Sequence, residues 1–155
     1  MSQVSTTSPA YGIGLITVIV GVAASLVFYQ VFYLPESLLK PSVDEHILHP
    51  VGQTEVEMIL GSSDANQDAN FVPKQLNIQL GIDNHVIWNN VDDTAHTVTP
   101  DHRVEDSYSG EFGSDGVIMP GDSYEFLFTE DVETGYFCIP HPWMTGELIV
   151  TKQRF

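Results

Sequence analysis

The stretch Cys138-Ile139-Pro140-His141-Pro142-Trp143-Met144 decides how this chain is read. It puts a thiol, an imidazole and a thioether three residues apart on one short loop. Its two prolines bar a helix. Gly135-Tyr136-Phe137-Cys138 leads into it and Glu147-Leu148-Ile149-Val150 leads out, both with the composition of buried strands.

Upstream the same texture continues. Glu55-Val56-Glu57-Met58-Ile59-Leu60 begins as an alternating run. Leu76, Ile78 and Leu80 alternate with Gln75, Asn77 and Gln79, and Gly81 with Asp83-Asn84 makes a turn. His85-Val86-Ile87-Trp88 follows as a strand. Tyr124, Phe126 and Phe128 alternate with Ser123, Glu125 and Leu127 after the Pro120-Gly121-Asp122 turn. Period-2 runs bounded by Gly, Pro, Asn and Asp predict an all-β, antiparallel sandwich or barrel, and about 100 residues suffice for one such core.

The 155 residues include 21 Asp or Glu against 5 Lys or Arg, a net charge of −16. Nucleic acid is excluded as a partner, because phosphates require clustered cations. With 43% hydrophobic residues, two Trp, six Tyr and eight Phe, the chain is no disordered acidic tail. Its single Cys rules out an internal disulfide and any two-thiolate metal or redox motif. The acids are concentrated: twelve lie between Asp92 and Glu133, against Arg103 alone. Such a cluster steers a cationic partner or serves as general solubilising charge.

Residues Tyr11 to Tyr33 carry no charge and only one strongly polar side chain, Gln30. At a rise of ~1.5 Å per residue the run spans roughly 34 Å, enough for the hydrocarbon core of a bilayer. Aromatics sit at both ends, and Pro35 is the expected stop. A cleaved signal peptide would want a basic start and a shorter apolar run; residues 1–10 hold no Lys or Arg. The expected organisation is therefore an N-terminal tail 1–10, a retained transmembrane anchor 11–33, a proline-rich linker 34–53 and a β-domain 54–155. His46 and His49 in the linker have no third donor nearby and read as solvated. Basic residues near the helix are too few to orient it.

Taken singly, Cys138 would be a small buried hydrophobe, Met144 core filler and Trp143 a packing anchor. Taken together, one Cys, a His three residues on and a Met three further form a more specific pattern. A second imidazole, His96, lies on the turn after the His85–Trp88 strand and can reach the same loop in a sandwich. Two imidazoles and a thiolate with a weak axial thioether make a copper electron-transfer site, since soft sulfur suits Cu(I) and imidazole suits both oxidation states. Zinc on two His and one Cys is the alternative, and it would leave Met144 without a role.

Residues 71–151 resemble a cupredoxin of the plastocyanin and amicyanin type. The likeness rests on Cys138-x-Pro140-His141 with the short gap before Met144, on Phe71-Val72-Pro73, on Val86-Ile87-Trp88-Asn89-Asn90, and on Gly116 through Pro120-Gly121-Asp122. It implies a Greek-key β-sandwich with one mononuclear type 1 copper held by His96, Cys138, His141 and, axially, Met144. Many relatives have Asn after the first ligand; here Thr97 follows His96, so the side-chain bond that staples the two ligand loops is expected to differ. The acidic loop 101–119 is expected to be mobile near the site and to loosen the axial position. Pro140 has no N–H, so Cys138 is expected to accept one backbone bond rather than two. An apolar docking face around His141, flanked by Pro140, Pro142 and Trp143, competes with Trp143 as a plug.

The leading functional expectation is a membrane-tethered one-electron carrier, its copper domain on the outer face. Its partners would be redox proteins at the same membrane, with lipid held by the N-terminal helix. A fixed subunit of a membrane oxidase or oxygenase is the second reading, although a two-copper centre would need a second Cys on the loop. Chemistry on small nitrogen oxides at an open axial site is the third. Further copper ligands would have to come from His85 or His102, each read as structural or solvated. An adhesion module would leave the Cys-His-Met spacing accidental.

Overall fold

A computed structural model describes residues 9–37 and 42–152, and the chain divides into two compact units, 1–40 and 41–155. The tail before Pro9 lies outside the described residues. The first unit is helical: α1 (Pro9–Phe28), a π-helical turn (Tyr29–Tyr33) and α2 (Leu34–Ser37). Gly12–Ser37 form one helix long and apolar enough to cross a membrane, and its side chains are exposed throughout. Contrary to expectation, the helix does not stop at Pro35. Proline cannot donate to a carbonyl one turn back, and the register widens just before it, with the Leu34 N–H reaching the Tyr29 carbonyl. A π-turn of this kind absorbs the missing bond and lets the helix run on.

The second unit opens with one helical turn, α3 (Glu45–Leu48), whose Ile47 is buried in the core and whose His46 is exposed, as is His49 just after it. Among the described residues ten strands follow: β1 (Gln53–Met58), β2 (Phe71–Val72), β3 (Gln75–Gln79), β4 (His85–Asn90), β5 (Thr99–Pro100), β6 (Glu105–Asp106), β7 (Gly110–Glu111), β8 (Ser123–Leu127), β9 (Val132–Phe137) and β10 (Thr145–Thr151). Two four-stranded sheets, in the orders β2-β1-β4-β8 and β3-β10-β9-β5, make the expected sandwich. The alternation is kept: Val56 and Met58, Leu76 and Ile78, Val86 and Trp88, Leu148 and Val150 point inward and are buried. Trp88 is the centre of the core, stacked on Tyr124 and edge-on to Tyr136.

The expectation of purely antiparallel pairing is corrected. β1 runs parallel to β4, and β10 runs parallel to β3, so each sheet is mixed. The chain crosses between sheets before returning to the first, and strands joined by such crossovers pair parallel as readily as hairpins pair antiparallel.

The 101–119 segment is not a loose loop. Within it β6 and β7 pair as a small hairpin. The Asp106 carboxylate, only 4% exposed, accepts the N–H groups of Tyr108, Ser109 and Thr129 and the Thr129 hydroxyl. Phe112 from the same segment packs into the core against Trp88 and Phe128. The acidic composition hid an internal staple.

Candidate metal centre

His96 sits beyond β4, where its backbone makes an isolated antiparallel bridge with Ile118. Asn90, buried at the end of β4, donates from its amide to the carbonyls of Thr94 and Ile118 and so fixes the turn that carries His96. Cys138 directly follows β9 and Met144 directly precedes β10. Between them the loop winds as two tight turns, with His141 N–H bonded to the Cys138 carbonyl and Met144 N–H to the His141 carbonyl. The Cys138 N–H closes it on the Met144 carbonyl at 3.1 Å. Adjacent antiparallel strands β9 and β10 thus hold the two ends of the loop together.

Three donor atoms converge there. His96 Nδ1 lies 3.1 Å from His141 Nδ1, and Cys138 Sγ lies 3.6 Å from each of these nitrogens. His96, Cys138 and Met144 are fully buried, and His141 is partly exposed. Among the described residues, His96, Cys138 and His141 are the one group of three or more His, Cys, Asp or Glu placed to hold a metal ion. A triangle of this size accommodates one ion at the roughly 2.0–2.3 Å bond lengths that imidazole and thiolate make to a first-row metal. The donor set, two imidazoles and a thiolate with a buried thioether on the same loop, fits a single type 1 copper. His85, paired with Glu125, and the exposed His102 stand outside this group.

The surroundings prepare the donors. Burial pushes the Cys138 thiol up, but the His96 ring and the Thr97 amide outweigh it, and its pKa is lowered. Burial, together with repulsion from His96, lowers the pKa of His141 and favours its neutral, metal-binding form. Burial also works against a charge on His96, yet Cys138 and Asp92 outweigh it and its pKa is raised.

Thr97 is the staple that the sequence left open. Its N–H donates to Cys138 Sγ at 3.3 Å, and its hydroxyl accepts the Ile139 N–H at 2.9 Å. A hydroxyl therefore ties the two ligand loops. Ile139 and Pro142 are exposed beside His141, and Trp143 is 39% exposed with its ring 5.4 Å from the imidazole. The Trp143 Nε1–H donates to the Ser62 carbonyl, which holds the part-exposed ring beside His141. One residue escaped the sequence reading. Asp92, counted among the surface acids, is 3% exposed and lies 2.7 Å from His96 Nε2. Its only sequence signal is the four-residue spacing to His96.

Residues 56–151 match the model of the copper binding proteins of the plastocyanin/azurin family. No curated protein matches the chain. Among solved structures, a purple cupredoxin from Nitrosopumilus maritimus is similar with a TM-score of 0.52 at 24% identity, over 64% of this chain and 100% of that one. A copper-containing nitrite reductase from Thermus scotoductus SA-01 gives 0.51 at 22% identity, over 75% of this chain but only 28% of its own length. Amicyanin from Paracoccus versutus gives 0.45 at 21% identity, covering 72% and 98% of the two chains. At 24% and 22% identity, the first two likenesses are ones of fold.

Proposed function

Because the chain belongs to the copper-binding plastocyanin/azurin family, and is a cupredoxin, we propose that it is a one-electron carrier tethered to a membrane by its N-terminal helix. In this reading His96, Cys138 and His141 hold the copper, Met144 takes the axial position, and the domain works on the outer face. The observation that carries it is the asymmetry of the donor triangle: two donors are sealed in the core and the third, His141, reaches the surface among apolar side chains. A bound copper supplies a Cu(II)/Cu(I) couple. The protein fixes the donors so that little rearranges when the electron moves, excludes water behind them, and exposes one imidazole edge as the route out.

Redox proteins at the same membrane are the proposed partners, and lipid is held by the helix spanning Gly12–Ser37. Ile139, Pro142 and Trp143 supply an apolar contact around His141, while the acids of 92–133 other than the buried Asp92 and Asp106 favour a cationic rim on the partner. If the buried Met144 supplies the fourth donor, it would close that position to small nitrogen oxides, and so this reading ranks electron transfer above catalysis at the site.

Trp143→Ala tests the docking face. The copper absorption should be unchanged, while electron transfer to native membranes slows several-fold. Transfer at the unaltered rate would remove Trp143 from the route. Solubilising the chain in mild detergent separates a free carrier from a fixed subunit, since only the latter copurifies in constant ratio with other chains.

A further inference from the structure

We propose that Asp92 is a positioning residue for the metal: its buried carboxylate fixes the tautomer of His96 and sets a negative charge against the oxidised ion. The proposal rests on the copper reading above and adds to it a group outside the donor set. The Asp92 Oδ2 lies 2.7 Å from His96 Nε2, and both side chains are fully buried. A carboxylate can only accept here, so Nε2 carries the proton and Nδ1 is left as the lone-pair nitrogen. That is the nitrogen facing Cys138 Sγ and His141 Nδ1.

The carboxylate is itself aimed. Its Oδ1 accepts the N–H groups of Gly61 at 2.9 Å and Asp93 at 2.8 Å. The Asp92 N–H donates to Asn90 Oδ1 at 3.0 Å, and Asn90 also holds Thr94 and Ile118. One side chain thus joins the loop after β1 to the first imidazole ligand. A buried carboxylate is costly unless its charge is met. The hydrogen-bond partners of this one are two amides and the imidazole, with no Lys or Arg among them. Positive charge delivered through the imidazole therefore meets it. Cu(II) carries one unit more than Cu(I), so the carboxylate favours the oxidised form and lowers the reduction potential.

Asp92→Asn keeps the shape, and the amide oxygen can still accept from Nε2, but the charge is gone. We expect the ratio of Cu(II) to Cu(I) affinity to fall about tenfold, which for one electron raises the potential by about 59 mV. A potential that is unchanged or lowered would overturn the charge role. The second readout needs no metal: nitrogen-15 NMR of the copper-free wild-type chain, recorded at alkaline pH where the His96 ring is neutral, should find the Nε2–H tautomer, with that proton protected from solvent exchange. A Nδ1–H tautomer would overturn the positioning role, even if Asp92→Asn failed to fold. If the wild type binds no copper through sulfur, the copper reading fails, while the tautomer measurement still decides what Asp92 does.

Discussion

Cys138→Ser should abolish the intense visible absorption of the copper-bound protein while leaving the fold in place. The side chain at 138 is fully buried, and its sulfur lies 3.6 Å from Nδ1 of both His96 and His141. Serine is nearly isosteric, so the core around it keeps its packing. Its hydroxyl does not ionise as the thiol does, and a hard oxygen replaces the one soft, strongly covalent donor in the triangle. The sulfur-to-copper charge transfer that colours such a site then has no origin, and Cu(I) loses its best ligand. Absorption spectra and circular dichroism of the variant check the two halves separately. A retained visible band would mean that the colour arises elsewhere.

Asp106→Ala should cost about 3 kcal/mol of stability or more, measured by denaturant unfolding of the copper-free protein. The carboxylate satisfies three backbone N–H groups and one hydroxyl, and the Thr129 N–H is bonded to it at 2.6 Å within the core. Truncation strands the buried Thr129 N–H and hydroxyl away from water, and a buried unsatisfied donor costs about 1–3 kcal/mol. The hairpin of β6 and β7 would lose its attachment to the sandwich. The copper spectrum should nevertheless survive, because His96 is held by its own bridge to Ile118 and by Asn90. A loss below about 1 kcal/mol would show that the segment is held by Phe112 and its aromatic neighbours instead.

These two residues mark what the sequence discloses and what it conceals. Cys138 is legible because its chemistry is rare and its spacing to His141 and Met144 is local. The strands are legible for a similar reason: Leu76 with Ile78, and Tyr124 with Phe126, show period 2 without knowledge of their neighbours. Pairing direction is a property of the crossovers, so the parallel β1–β4 and β3–β10 ladders leave no mark on either strand alone. Asp92 and Asp106 look like the other acids around them. Their burial depends on amides contributed by Gly61 and Thr129, 31 and 23 residues away. Thr97 departs from the family pattern at a position next to the site, but the Ile139 N–H that its hydroxyl accepts is 42 residues distant. The helix past Pro35 follows from a register change in the backbone, which composition does not encode.

In the proposed reading, positions 96, 138 and 141 close on one copper ion. Adding one equivalent of Cu(II) to the full chain in detergent, and recording its visible absorption and EPR spectra together, tests it most directly. An intense thiolate-to-copper band is expected, with the compressed copper hyperfine splitting of a covalent sulfur ligand. A colourless adduct, with the wide splitting of copper bound only by nitrogen and oxygen, would contradict it.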